Sequence, residues 1–356
     1  MAYNIPTVAE LREFTESGNH KFEVVSTFAG GGGSSTGYRM AGGKVLAVNE
    51  FIPEAINTYK ANWPSTIILP HDVRKLTAQD ILEAIGRDKG QLDIFDGSPP
   101  CSAFSTAGSR DKGWGKIKAY SDAKQENVED LFFEYIRLLD GIQPKAFVAE
   151  NVSGLAKGVA KGYLNDILRR MRACGYEVGC KILDAQWLGV PQTRTRTIFV
   201  GIRRDLWKPE YKGRLHPSPL QQRVTLSEAF EGLSLSDQDR LETDLSKYAV
   251  GAELKRLPIG GQSKKYFQLV KSDPKSVAGC LTASAGSPSI ACIRHWENRA
   301  FSVAECKRIM SIPDDYILTG TYKQKVERLG RMVAPFMMKA VAENILSLGV
   351  LNEDTN

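Results

Sequence analysis

Cys101 stands behind the Pro99-Pro100 pair in the run Asp96-Gly97-Ser98-Pro99-Pro100-Cys101-Ser102. A thiol held on a stiff prolyl turn can act as a nucleophile once it is a thiolate; without such context a cysteine is more often a buried, inert hydrophobe. Glu150-Asn151-Val152 offers a carboxylate that can give, take or share a proton. In Gln192-Thr193-Arg194-Thr195-Arg196 the polar side chains alternate, so an extended segment would present Gln192, Arg194 and Arg196 on one face. Amide and guanidinium groups there can grip a base and its phosphate, the plain alternative being a solvated strand face. The stretch from Gly108 to Tyr120 carries Arg110, Lys112, Lys116 and Lys118 among glycines, which suits a basic lid near phosphates or an ordinary exposed loop.

The other chemistry-bearing run is Phe28-Ala29-Gly30-Gly31-Gly32-Gly33-Ser34-Ser35-Thr36-Gly37. Consecutive glycines permit positive φ and let backbone N–H groups approach a ligand. Glu50 lies twenty residues beyond Gly30, where doubly wound folds grip a ribose diol. No register completes G-x-G-x-x-G: counted from Gly30 the third position is Ser35, and counted from Gly31 it is Thr36. A nicotinamide dinucleotide is therefore disfavoured, and a mononucleoside such as S-adenosylmethionine fits better. Phe51 could stack on an adenine or pack in a core, and Asp72, followed by Val73, could bond an adenine amino group or cap a helix.

These groups need elements to hold them at strand ends. Strand-like runs fall at 22–28, 44–48, 66–69, 92–95, 146–149, 177–185 and 197–202, with helical patterns at 37–41, 53–62, 78–85, 128–139 and 163–174 between them. That alternation predicts an α/β, doubly wound, mostly parallel sheet. From 203 to 289 prolines, serines and glycines break every long periodicity and 225–233 is the one convincing helix start; helical patterning returns at 302–310 and 334–348. The domain expectation is thus a catalytic and cofactor-binding domain at 1–202, completed by 299–356, with a smaller irregular domain at 203–298. Residues 352–356 should fray.

The 356 residues are 42% hydrophobic and 25% charged, which excludes collagenous and disordered classes, and no run suits a membrane span or a secretory leader. The net charge of +6 is compatible with a polyanion without proving one. Six scattered cysteines form neither a C-x-x-C pair nor a metal-like grouping with the four histidines, so no metal is expected.

The order of Phe28–Gly37, Asn49-Glu50-Phe51, Pro99-Pro100-Cys101, Glu150-Asn151-Val152 and Gln192-x-Arg194-x-Arg196 resembles the cytosine-5 DNA methyltransferases, over about 22–349. The segments Arg299–Glu305 through Pro313-Asp314, and Leu329–Pro335, look like that family's last two blocks. The resemblance implies a Rossmann-like methyltransferase domain with a target-recognition domain at 203–298. It implies that Cys101 adds to cytosine carbon 6 while Glu150, beside Asn151, shares a proton with ring nitrogen 3. Arg196 would contact the exocyclic oxygen, supported by Gln192 and Arg194. The base must be flipped out of the duplex. Phosphate contacts should then come from Lys255, Arg256, Lys264, Lys265, Lys271 and Lys275. S-adenosylmethionine would be bound by Phe28, Gly30, Gly32, Gly33, Glu50, Phe51, Asp72, Val73, Pro100, Leu131, Arg331, Met332 and Val333.

Four departures stand out. Ser26 replaces the usual Asp, Ser102 the usual Gln, Ala300-Phe301-Ser302 loosens a conserved block, and Arg331 follows Gly330 where the family has Asn. Together the changes at 26 and 331 move the charge near the donor by about +2. Arg331 then either clamps the methionine carboxylate or faces solvent, with ordinary methylation. Or the donor is carboxy-S-adenosylmethionine and the product 5-carboxymethylcytosine. A transfer-RNA methyltransferase of the same fold is a further alternative. The expected partner is double-stranded DNA, with no membrane; protection against a cognate restriction nuclease, modification of a viral genome and regulation of expression stay open as the biological setting. The expected enzyme is a stand-alone, monomeric, cytoplasmic protein of bacterial or viral origin.

Overall fold

The computed structural model describes residues 3–100, 118–119, 124–125, 130–156 and 161–352. Cys101 and most of the 108–120 stretch, both singled out above, lie outside them. In chain order come α1 (Val8–Glu16), β1 (Phe22–Thr27), α2 (Gly33–Met40), β2 (Gly43–Asn49), α3 (Pro53–Asn62), β3 (Ile67–Leu69), α4 (Ala78–Ile85) and β4 (Ile94–Gly97). After the short β5 (Lys118–Ala119) and β6 (Lys124–Gln125) follow α5 (Leu131–Ile142), β7 (Ala146–Val152), α6 (Lys161–Ala173), β8 (Tyr176–Asp184) and β9 (Thr195–Arg203). The remainder holds α7 (Leu226–Ala229), α8 (Asp237–Thr243), α9 (Ala249–Arg256), β10 (Val270–Lys271), β11 (Ile293–Arg294), α10 (Val303–Ile309), α11 (Tyr322–Arg331) and α12 (Pro335–Ser347).

The chain divides into two interleaved compact units. One comprises 12–183, 195–218 and 338–356 and contains the main sheet, in the order β3-β2-β1-β4-β7-β9-β8. β1 pairs in parallel with β2 and β4, β2 with β3, and β4 with β7, while β9 runs antiparallel to β7. The sheet is therefore α/β and mostly parallel, as expected. β1, β4 and β7 are buried almost throughout, as strands covered on both faces must be. Phe95, Phe132, Tyr135, Phe147 and Phe199 form the aromatic centre of the core beneath them.

The other unit comprises 1–11, 184–194 and 219–337. Within 203–289, where periodicity is expected to dissolve, short helices form; α8 starts on a capping box, Ser236 with Asp239, which satisfies the first-turn N–H groups without a long amphipathic run, and beyond that range α11 starts on another, Thr321 with Gln324. Leu245, Val250, Leu254, Leu269 and Ala300 form a small core. Among the described residues no helix is long and apolar enough to cross a membrane.

Candidate active site

β1 ends abruptly because the backbone turns left-handed. Phe28 has φ 54°, Gly30 has φ 54° and Gly32, capping α2, has φ 91°. For Phe28 that conformation is uncommon and costs free energy, as backbone at ligand sites often does. A Cβ built on Gly30 would meet no atom within 4 Å, so the loop borders open space. Glu50 is 6% exposed at the end of β2. Its Oε2 accepts the Gly30 N–H at 2.7 Å, and its Oε1 accepts the N–H groups of Phe51 and Ile52 at 2.8 and 2.9 Å. The glycine loop and the ribose-type acid are thus one assembly: the carboxylate fixes the loop, and the loop orients the carboxylate. Asn49 extends it, donating to the carbonyls of Leu69 and His71 at 2.9 and 2.8 Å.

Asp72 works as a cap. Its carboxylate accepts the Arg74 N–H and pairs with the Arg74 guanidinium, both at 3.0 Å, and Val73 is buried. Leu131, another of the expected donor contacts, is wholly buried at the start of α5.

The carboxyl ends of β4 and β7 carry the catalytic candidates. Asn151 donates to the Pro99 carbonyl at 3.0 Å while its own Oδ1 accepts the Val152 N–H at 2.8 Å. This ties β7 to Pro99, which precedes Pro100 and Cys101 in the sequence. Glu150 lies beside Arg196, whose Nε is 2.7 Å from Oε1, because antiparallel β7 and β9 set Val152 opposite Arg196. Arg196 Nη1 also donates to the Thr195 carbonyl at 2.9 Å.

Gln192 and Arg194 are placed otherwise than the alternating pattern predicts. β9 begins only at Thr195, and both side chains are spent within their own unit. Gln192, fully buried, donates to the Ile309 carbonyl at 2.9 Å and accepts the Leu281 N–H at 3.1 Å. Arg194, 2% exposed, donates to the carbonyls of Leu281 (3.0 Å), Gly330 (3.0 Å) and Met332 (2.8 Å). Alternation fixes which way side chains point along a strand but not which body each will meet.

The Gly330–Val333 segment is held from beneath by Arg194, with Met332 and Val333 buried. Gly330 is obligatory on contact grounds, since a Cβ would lie 2.4 Å from the Thr282 carbonyl carbon. Arg299 and Glu305, in the block before it, make paired 2.7 Å bonds, and Glu305 also closes the α10 capping box with Ser302. Burial alone would raise the Glu305 carboxyl, but the bonds from Arg299 and His295 bring it down to about 2.

Residues 22–347 match the family described as C-5 cytosine-specific DNA methylase. The chain belongs to that family. Among similar methylases, the type II methyltransferase M1.HphI of Haemophilus parahaemolyticus is 29% identical over 342 residues, 91% of this chain and 86% of that one. The type II methyltransferase M.SacI of Streptomyces achromogenes is 27% identical, across 94% and 95% of the two chains. In fold, the methylase resembles DNMT2 of Spodoptera frugiperda, with TM-score 0.67 and 20% identity over 94% of this chain and 100% of that one. It also resembles a candidate DNA modification methyltransferase encoded within an E. coli prophage, with TM-score 0.71 and 22% identity over 94% and 100%.

Two features alter the reading of the departures at 26 and 331 in this methylase. Ser26 faces Asp96 across the β1–β4 pair and donates to its Oδ2 at 2.6 Å, joined by Ser34 at 3.0 Å; Tyr38 donates to Oδ1 at 3.0 Å. The acid absent from β1 is thus supplied one strand over. Burial raises the Asp96 carboxyl to about 6, against the lowering pull of those three hydroxyls. Arg331, for its part, pairs with Glu327 one helical turn back, at 2.9 and 3.1 Å. Each half of the expected charge gain of about +2 therefore has an acid beside it. Asp96 carried no sequence signal beyond its place before Gly97; a lone acid in an apolar strand was the available clue.

Proposed function

We propose that the chain transfers a methyl group from S-adenosylmethionine to carbon 5 of cytosine in double-stranded DNA. The single observation that carries the reading is Glu150 paired with Arg196 at 2.7 Å, beside Asn151 fastened to the turn before Cys101. The residues present fit the donor: the backbone is left-handed at Phe28, Gly30 and Gly32, a Cβ at Gly30 would stand in open space, and Glu50 offers an oriented carboxylate for a ribose diol. Phe51 is the candidate adenine neighbour. When bound, S-adenosylmethionine supplies an electrophilic methyl group.

The chain's own residues do the rest. The base leaves the stack. The Cys101 thiolate adds to cytosine carbon 6, and Glu150 shares its proton with ring nitrogen 3, so that carbon 5 becomes enamine-like and accepts the methyl group. Arg196 fixes the Glu150 carboxylate and offers its remaining N–H groups to the exocyclic oxygen. A base then removes the carbon 5 proton, the electrons return to expel Cys101, and the thiolate is restored. Gln192 and Arg194 support the segments around them as positioning residues. Residues 203–298 recognise the target, and the type II names of the relatives favour a partner nuclease as the setting.

Incubating the chain with duplex DNA containing 5-fluorocytosine and S-adenosylmethionine should trap a covalent adduct that Cys101→Ala does not form. No adduct with the wild type would remove the mechanism. Competition with transfer RNA, and mass spectrometry of DNA treated with S-adenosylmethionine or its carboxylated form, test the other substrate and donor. The Arg331–Glu327 pair favours the ordinary donor.

A further inference from the structure

We infer that the outer edge of the sheet unit, built from the end of α6, β8 and residues 203–214, is a second binding surface for duplex DNA, one that holds a segment other than the one being methylated. The inference rests on the DNA reading above and leaves target recognition to the residues beyond 218. Residues 161–183 and 195–218, all of the sheet unit, carry eleven lysines and arginines against four acids, Asp166, Glu177, Asp205 and Glu210. That excess is larger than the +6 of the whole chain, so the other residues taken together are slightly acidic. Among the lysines expected to meet phosphates elsewhere, Lys271 is 7% exposed with Nζ bonded to the Leu257 carbonyl, which corrects its expected role.

The fold gathers the basic residues on one edge. β8 is the outermost strand of the main sheet. Arg204 fastens its start to the end of α6: the Arg204 N–H donates to the Gly175 carbonyl at 2.9 Å and Nη2 to the Arg172 carbonyl at 3.1 Å, with Nε 3.5 Å from Glu177. Leu215 and His216 lie against Gly179, where a Cβ would come within 3.1 and 3.0 Å of them, so Arg214 runs beside β8 and Lys181. Arg172, Lys181, Lys212 and Arg214 are exposed, and among the described residues no carboxylate pairs with them. Like charges left together repel, and a polyanion relieves that repulsion. In 161–183 and 195–218 Ile182 is the one large hydrophobic residue that is exposed, too little apolar surface for the centre of a protein interface. Phosphates are the partner that such a face fits.

The position of the edge separates it from the catalytic groups. β7 and β9 set Val152 opposite Arg196 at one end and Ala146 opposite Ile202 at the other. Arg203 and Arg204 follow Ile202, so they stand at the end of the strands away from Glu150, about 20 Å along β7. Duplex DNA is stiff over about 50 nm, and bending it round from one end of the strands to the other is costly.

The test uses the full chain trapped on a short target duplex containing 5-fluorocytosine, which fills the catalytic site, and adds a second, fluorescent duplex that contains no cytosine. The wild-type adduct should bind the second duplex. The variant carrying Arg172→Gln, Lys181→Gln, Lys212→Gln and Arg214→Gln should bind it at least about 10-fold more weakly at about 100 mM salt, with the salt slope smaller by about 3 to 4. Its kcat/KM on the short target duplex should stay within about twofold of the wild type, which also shows that it folds. A wild-type adduct that binds no second duplex, or a variant adduct that binds it as the wild type does, overturns the inference. A fall in methylation as large as the fall in binding puts these cations on the target segment and overturns it too. Tighter binding of poly-glutamate of matched charge than of the duplex makes the face a protein-docking surface, with the same result. If the wild type forms no adduct, the parent reading fails; the salt slopes of the free wild type and variant on the cytosine-free duplex then decide the surface by themselves.

Discussion

Arg194 ties together segments of the second unit that are far apart in sequence. Its guanidinium serves three carbonyls, those of Leu281, Gly330 and Met332, from a position 2% exposed. Arg194→Met keeps the apolar stem and removes all three bonds. Hydrogen bonds to a charged group contribute about 1.5–3 kcal/mol each, but three bonds from one cation are not additive and some carbonyls will recruit water. The expected loss is about 3–5 kcal/mol, in the range found when one partner of a buried charged network is removed. Arg194→Lys keeps the charge without the fork and should lose about half as much. Urea unfolding followed by tryptophan fluorescence reads both variants against the wild type. If Arg194→Met costs less than about 1 kcal/mol, the guanidinium is not what gathers those segments.

Other residues give further expectations. Gly330→Ala drives a Cβ to 2.4 Å from the Thr282 carbonyl carbon, so the backbone must move; a loss of about 1–3 kcal/mol and a higher KM for the donor are expected, and an unchanged KM would separate this turn from the donor site. Asp96 has a folded pKa raised from 3.8 to about 6, so the folded state holds its proton more tightly than the unfolded chain. Its contribution is present at pH below about 4 and drains away as pH climbs through about 6, in all about 3 kcal/mol. The stability difference between wild type and Asp96→Asn should accordingly change across that window; a flat difference sinks the assignment. Glu150→Gln keeps the shape beside Arg196 but cannot share an acidic proton, and should lower single-turnover methyl transfer by about 100-fold or more with DNA affinity retained.

The sheet was legible because buried parallel strands advertise themselves as short apolar runs, and the glycine loop because consecutive glycines have few other uses. Glu50 was placed by its spacing from Gly30, and the structure adds that the two are bonded. Asp72 was left open between an adenine contact and a cap, and its cap bonds to Arg74 are what the chain forms locally. Long-range partners were not legible. Nothing near Arg194 in sequence announces the Gly330 and Met332 carbonyls, which lie more than a hundred residues away. Lys271 looked like its neighbours because composition counts charges without saying which ones point outward. Helix α8 could have been found, since Ser236-x-x-Asp239 is a capping signature, but its seven residues are too few for periodicity to reveal; Thr321-x-x-Gln324 marks the start of α11 in the same way.

The interleaving of the two units has a consequence for how the protein is made. The sheet unit needs residues 338–356, and the other unit joins 1–11 and 184–194 to 219–337, so neither can close until nearly the whole chain has left the ribosome. A nascent chain stopped near residue 211 would carry every strand of the main sheet yet hold neither unit complete. Prematurely terminated chains should therefore be cleared as unfolded material rather than persist as half-enzymes. By the same connectivity, two fragments divided between 195 and 218 each lack part of both units, and any activity they recover must come from their association.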